Sequence, residues 1–158
     1  MSKVVLLIGS MSDREIVKDS KMIDVFDGVG VDLDIHVMSA HRNAEDLRSF
    51  CQAQTEVSVF IAAAALATAL PGAIAAATGM RQVVIGVPLD DYGVDSCLRM
   101  PPGVPVLTAG VGKAGLHNAA VAACQILATG DPRVAVRLDN YLADHARPIH
   151  LNISLDDV

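Results

Sequence analysis

The sequence predicts an α/β protein, a three-layer fold built on a parallel sheet of five strands. Two observations carry that expectation. Strand-like and helix-like patterns alternate along the chain, as they do in βαβ units. Two runs, Val4–Ile8 and Val57–Ala63, are apolar throughout save for Ser58 near the start of the second, the pattern of central strands covered on both faces.

The elements follow in order. Val4-Val5-Leu6-Leu7-Ile8 is the first strand and runs into Gly9-Ser10-Met11-Ser12-Asp13, where glycine permits a tight turn. Arg14 to Asp27 carries Ile16, Val17, Met22, Ile23 and Phe26 at helical spacing, ending near Gly28 and Gly30. Val31–Val37 alternates apolar residues with Asp32, Asp34 and His36, which reads as a half-buried second strand. Met38-Ser39-Ala40-His41-Arg42 turns into a helix over Asn43–Gln54. The third strand, Val57–Ala63, leads to the loop Ala64–Leu70, and Pro71-Gly72 opens an Ala-rich helix to about Thr78. Val83–Val87 is the fourth strand, halted by Pro88, and Leu89–Leu98 reads as a loop. Arg99–Gly103 leads to a fifth strand over Val104–Val111, and Gly112-Lys113-Ala114-Gly115 turns into a helix reaching Ala128. Gly130-Asp131-Pro132 breaks the chain. A last helix, 132–147, sets Val134, Leu138, Tyr141 and Leu142 on one face, before a loosely held tail, 148–158.

The alternation of the second strand places it at a sheet edge, which fits the flavodoxin-like order 2-1-3-4-5. In that order the carboxyl ends of strands one, two and three lie together. The turns Gly9–Asp13 and Ser39–Arg42 and the loop Ala64–Leu70 then converge on one crevice, the edge where open α/β sheets bind ligands.

At 158 residues the chain reads as one domain over 1–158, burying roughly 70% of its extended-chain surface. Apolar residues make up 52% and aromatic residues only 3%, so the core is built from Ala, Val, Ile and Leu. That richness suggests surface buried in an oligomer, or else a set of Ala-heavy core helices. A net charge of −6 with no Lys/Arg run argues against a nucleic-acid partner. Cys51, Cys97 and Cys124 are far apart and lack metal-ligand spacing, so they read as reduced thiols. The apolar run Val57–Ala77 is interrupted by Thr68, Pro71 and Gly72, unlike a membrane span, and the N-terminus enters a strand at once without a charged leader. A cytoplasmic protein with no membrane partner is the expectation.

Two turns carry chemistry. Ser39, His41 and Arg42 combine a hydroxyl, an imidazole that titrates near neutral pH and a guanidinium suited to phosphate. The plainer alternative is a polar turn whose His caps a carbonyl. In Gly9–Asp13, Ser12 or Asp13 can cap the following helix, and the free N–H groups of its first turn suit an anion. Two hydroxyls there suit a phosphate monoester, whereas Asp13 would repel one and more naturally takes ribose hydroxyls. Plain N-capping is the competing account. Thr68 is the polar group of the third loop; Asp90, Asp91, Tyr92 and Asp95 form an acidic loop of the kind usually solvated. His36, His117, His145 and His150 read as surface or structural residues.

Taken together, these stretches resemble the N5-carboxyaminoimidazole ribonucleotide mutase and aminoimidazole ribonucleotide carboxylase family of purine biosynthesis. The likeness runs from Val4 to about Ala143. It rests on Gly9–Asp13, Ser39–Arg42, Leu70-Pro71-Gly72, Ile85–Pro88, Met100–Val106 and Gly112–Gly115, with Asn118-Ala119-Ala120 opening the next helix. The resemblance implies a flavodoxin-like subunit in a homo-octamer, a small-molecule ribonucleotide and CO2 or carboxylate as reactants, and no metal, biotin or nucleotide cofactor. It implies that Ser10, Ser12 and Arg42 hold the 5′-phosphate and that Asp13 binds ribose hydroxyls. Ser39, Ala40, Thr68, Ala69 and Leu70 would line the pocket, with His41 as the catalytic proton-transfer residue.

The chain also departs from the family pattern. The mutase branch reads Gly-Gly-Ala-Ala-His-Leu-Pro-Gly where this chain has Ala65-Leu66-Ala67-Thr68-Ala69-Leu70-Pro71-Gly72, so Ala69 replaces a second His. Ser96-Cys97-Leu98-Arg99-Met100-Pro101 is similar to the carboxylase branch, whereas Arg42 and Gly112–Gly115 are mutase-like. The expected product is 4-carboxy-5-aminoimidazole ribonucleotide, by mutase chemistry or by direct carboxylation. The alternatives are a catalytically impaired nucleotide-binding paralogue and a carboxylase of another phosphorylated heterocycle.

Overall fold

The computed structural model describes residues 3–145, within which five parallel strands form one sheet in the order β2-β1-β3-β4-β5. The strands are β1 (Lys3–Ile8), β2 (Asp32–Val37), β3 (Val57–Ala64), β4 (Val83–Pro88) and β5 (Leu107–Thr108). The helices are α1 (Arg14–Asp19), α2 (Met22–Val29), α3 (Ala44–Ala53), α4 (Leu70–Ala77), α5 (Val94–Leu98), α6 (Gly112–Ala128) and α7 (Pro132–His145). The flavodoxin-like order expected from the sequence is the order found.

The continuous apolar runs dictate the layers. Side chains alternate across a strand, so Val4, Leu6, Ile8, Val59, Ile61, Ala63, Ile85 and Val87 face one way and pack with α1, α2, α6 and α7. Val5, Leu7, Phe60, Ala62, Ala64 and Val84 face the other way, against Leu47 and Cys51 of α3 and Leu70, Ile74 and Ala75 of α4. Fully burying a side chain of this size contributes about 1.5–3 kcal/mol, which makes β1, β3 and β4 the rigid centre that positions the loops above them.

Four expectations are corrected. The single helix over Arg14–Asp27 is two, because the Ser20 hydroxyl donates to the Val17 carbonyl (2.6 Å) and accepts from Met22 N–H (3.2 Å), while Lys21 takes a left-handed φ of 58°. The fifth strand shrinks from Val104–Val111 to Leu107–Thr108, since Pro105 offers no N–H, Gly110 turns at φ 133° and β5 has only β4 to pair with. Residues 89–98 are not plain loop: a 3-10 turn, Asp91–Gly93, leads into α5. The strand β2 is more open than half-buried, with Ile35 42% and Val37 40% exposed at the sheet edge. The last helix matches expectation from Pro132 to His145; residues 146–147 of that helix and the tail 148–158 lie outside the described residues.

Candidate functional site

Three neighbouring strand ends build the site. In register, Ile8 of β1 lies beside Val37 of β2 and Ala63 of β3. Beyond that row the Gly9 N–H donates to the Ala63 carbonyl (3.0 Å) and the Met38 N–H to the Ile8 carbonyl (3.0 Å), so the loops leave the sheet together. A β-carbon at Gly9 would stand 3.2 Å from the Ala64 β-carbon, which shows how closely these chains approach. The cavity above them has a volume of about 300 Å³ and is lined by Gly9, Ser10, Ser12 and Asp13, by Ser39–Arg42 and by residues 64–70. The residues expected at the site, Ser10, Ser12, Asp13, Ser39, Ala40, His41, Arg42, Thr68, Ala69 and Leu70, all border it.

In the β1 turn the cap is Ser10, not Ser12 or Asp13. Its hydroxyl oxygen accepts from Ser12 N–H (3.3 Å) and from the Ser12 hydroxyl (2.9 Å) at the head of a 3-10 turn, Met11–Asp13, that precedes α1. Asp13 makes no side-chain cap bond to α1. Burial pushes the Asp13 carboxyl above its ordinary value, opposed by hydrogen bonds from the Ser10 backbone and the Ser12 side chain and assisted by the negative charge of Asp90. A carboxylate held there gains by accepting hydroxyl protons from a ligand.

In the β2 turn the Ser39 hydroxyl accepts from the N–H groups of His41 and Arg42 (3.3 Å each), and the Ser39 N–H donates to Asn43 Oδ1 (2.7 Å). Asn43, in sequence no more than the start of a helix, thus latches the turn that presents His41 and Arg42. Both are exposed, and among the described residues the His41 ring has no hydrogen-bond partner, so its nitrogens are open to a ligand.

The third wall differs from expectation in chemistry though not in place. Thr68 is only 1% exposed, and its hydroxyl donates inward, to the Ala64 carbonyl (3.0 Å) with Leu66 O also near (3.3 Å). Thr68 therefore shapes the wall, as buried Leu70 does, while Ala69 stands at the N-cap of α4. The loop holds Leu66 at φ 59° and Thr68 at φ 41°, left-handed values costing on the order of 1–3 kcal/mol each for non-glycine residues.

Among the described residues no three His, Cys, Asp or Glu side chains cluster as metal ligands, and no helix is long and apolar enough to cross a membrane. The three cysteines are unpaired and buried, and burial raises each thiol to about 11. His36 sits against Phe50 (ring centroids 4.5 Å) and 3.0 Å from Asp34, His145 stacks on Tyr141, and His117 lies on α6; none borders the cavity. His150 lies outside the described residues. A larger cleft, about 810 Å³, opens at the amino ends of β3 and β4 near Val57 and Val83, at the opposite end of the strands from these turns.

Comparison with known proteins gives concordant matches. Residues 3–147 match the family model described as AIR carboxylase. The N5-carboxyaminoimidazole ribonucleotide mutase of Bacillus subtilis (strain 168) is 40% identical over 142 residues, covering 85% of each chain. Those of Escherichia coli (strain K12) and Pyrococcus abyssi are 39% and 38% identical, covering 89% and 93% of this chain and 85% and 86% of the relatives. The crystal structure of Treponema denticola PurE superposes with a TM-score of 0.79 at 26% identity, over 92% of both chains.

Proposed function

The chain belongs to the AIR carboxylase family, and from that membership we propose that it forms 4-carboxy-5-aminoimidazole ribonucleotide by moving the carboxylate of N5-carboxyaminoimidazole ribonucleotide onto C4. The observation that carries this reading is the convergence of His41, Arg42, Ser10 and Ser12 on one cavity. Arg42 and the two hydroxyls bind the 5′-phosphate, Asp13 the ribose hydroxyls, and Ser39, Ala40, Thr68, Ala69 and Leu70 shape the pocket around the base.

The chemistry needs one mobile proton. Breaking the N–CO2 bond returns a proton to the amine and frees CO2. Forming the C4–CO2 bond leaves a hydrogen on C4 that must depart to restore the aromatic ring. One imidazole both gives the first and takes the second, so His41 ends the cycle as it began. A small Ala-lined cavity keeps freed CO2 beside C4, so much of the catalysis is containment and positioning.

Ala69, standing where the mutase branch has its second His, favours one further reading: direct carboxylation of aminoimidazole ribonucleotide with CO2. Purified protein mixed with each nucleotide, with product followed by absorbance, separates the two. Turnover of neither overturns the enzyme reading; retained ribonucleotide binding would then mark a catalytically impaired paralogue, and turnover of another phosphorylated heterocycle a different carboxylase.

The proposal extends to assembly and setting. Met11, Ile23, Ile35 and Val37 border an apolar groove of about 300 Å³ along the open β2 edge, which supports a homo-octamer, to be measured by sedimentation. The unpaired thiols support a cytoplasmic setting. Neither a cofactor nor a nucleic-acid or membrane partner is part of the proposed reaction.

A further inference from the structure

The wall at residues 64–70 holds two left-handed non-glycine residues, yet the Leu66 side chain is 67% exposed, so burial of that side chain does not hold the conformation. What grips the wall comes from the segment after β4. Leu89 N–H donates to the Ala64 carbonyl (2.9 Å), the Asp90 carboxylate accepts from Leu66 N–H (2.9 Å), and the Ser96 hydroxyl donates to the Ala67 carbonyl (2.8 Å). The other Asp90 oxygen accepts from Tyr92 N–H (3.0 Å), which fixes the carboxylate at the head of the Asp91–Gly93 turn. Asp90 thus joins two backbone segments through charge-assisted bonds, the stronger kind.

In the sheet order, the ends of β2 and β3 flank that of β1 on opposite sides. In the cavity that the three loops share, the space left for a base lies between the His41 turn and this wall. We propose that Asp90 is a positioning residue: through the Leu66 N–H it fixes the wall against which the reacting ring is held opposite His41. This rests on the reaction proposed above. Asp90 acts on the ring's placement and not on the phosphate anchor, which sits on the β1 and β2 turns, so its loss lowers kcat more than it raises KM.

The test compares Asp90→Ala with Asp90→Asn, which keeps one acceptor oxygen where two hold the Leu66 and Tyr92 N–H groups. Misplacing the ring in Asp90→Ala lowers kcat by about 10- to 100-fold, with the ribonucleotide KM changed by less than about threefold, since the anchor is untouched. Asp90→Asn recovers part of kcat. In parallel, hydrogen exchange at the Leu66 amide accelerates in Asp90→Ala and slows again in Asp90→Asn. Wild-type kcat in Asp90→Ala, or a lost kcat without faster exchange at Leu66, overturns the assignment. If Asp90→Ala does not fold, Ser96→Ala loosens the same wall at Ala67 and carries the same expectations. Should the wild-type protein turn over neither nucleotide, the reaction fails as a separate matter; the exchange arm alone then decides the tether, and unchanged exchange overturns it.

Discussion

Gly93 is the position where one methyl group tests the geometry of the pocket wall. Its φ of −92° suits any residue, so a substitution meets a packing barrier and not a conformational one. A β-carbon there would stand 2.5 Å from the Thr68 β-carbon and 2.9 Å from the Leu66 carbonyl oxygen, and it would also strike the Thr68 hydroxyl. The hydroxyl can rotate aside, but the other two atoms are fixed by the backbone. Restoring a carbon–carbon contact of about 3.5 Å pushes Thr68 back by roughly 1 Å. Overpacking of this kind destabilises by about 1–3 kcal/mol, which lowers Tm by about 2–4 °C per kcal/mol in a chain of this length. A wall displaced by about 1 Å costs turnover on the order of 100-fold. The assay is thermal unfolding of Gly93→Ala at fixed protein concentration together with steady-state kinetics. Adding Thr68→Gly removes the opposing β-carbon and suits φ 41°, so the double variant recovers part of the lost Tm and kcat, the Leu66 carbonyl contact remaining. Gly103→Ala is the control, with nothing within 4 Å of the new β-carbon but φ at 87°; it costs about 1 kcal/mol and spares turnover. Wild-type Tm and kcat in Gly93→Ala, or strict additivity in the double variant, refutes the reasoning.

His41→Asn leaves the fold and phosphate binding intact and lowers kcat by about 100- to 10,000-fold; a retained rate in a stopped assay means that another group moves the proton. Arg42→Ala weakens nucleotide binding by about 1.5–3 kcal/mol, the worth of a charge-assisted contact, and an unchanged KM contradicts its place on the phosphate. Asp13 gives a pH dependence whose sign follows from its raised carboxyl. Burial favours the protonated acid, so the stability it allows is complete below the unfolded value of 3.8 and is lost as pH rises through the folded value. Asp13→Asn therefore raises Tm at pH 7 and not at low pH, while removing the rise in KM that wild type shows as pH falls through the raised value. A lower Tm at pH 7 in calorimetry sinks that account.

What the sequence made legible is whatever repeats with a period or sits where a strand ends. β1 and β3 announce themselves because a strand buried on both faces has no reason to alternate, and β2 because an edge strand does. Those three assignments suffice to bring Ser10, Ser12, Asp13 and Ser39–Arg42 together. The break at Ser20-Lys21 was hidden because Ile16, Val17, Met22, Ile23 and Phe26 keep helical spacing across it; a side-chain cap decided the matter, not the apolar pattern. β5 was overread because an apolar run in a proline-rich stretch lacks the donors for a long ladder. The bonds of Asp90, expected in a solvated acidic loop, and of Asn43 and Ser96 were illegible for a common reason. Each acts on backbone groups, Asp90 and Ser96 across 24 and 29 residues of sequence, and no side-chain pattern records such a bond. Thr68 was read by its polarity, whereas its left-handed backbone turns the hydroxyl inward.

The three sealed thiols supply reporters already installed in separate parts of the molecule. Cys51 lies under α3 on one sheet face, Cys124 under α6 on the other, and Cys97 in α5, beside the segment that braces the pocket wall. With their protons held this tightly, alkylating reagents find almost no thiolate until a layer parts from the sheet. Peptide-resolved labelling therefore times the breathing of each layer independently, and Cys97 turns the brace into a region whose opening can be clocked without altering a single residue.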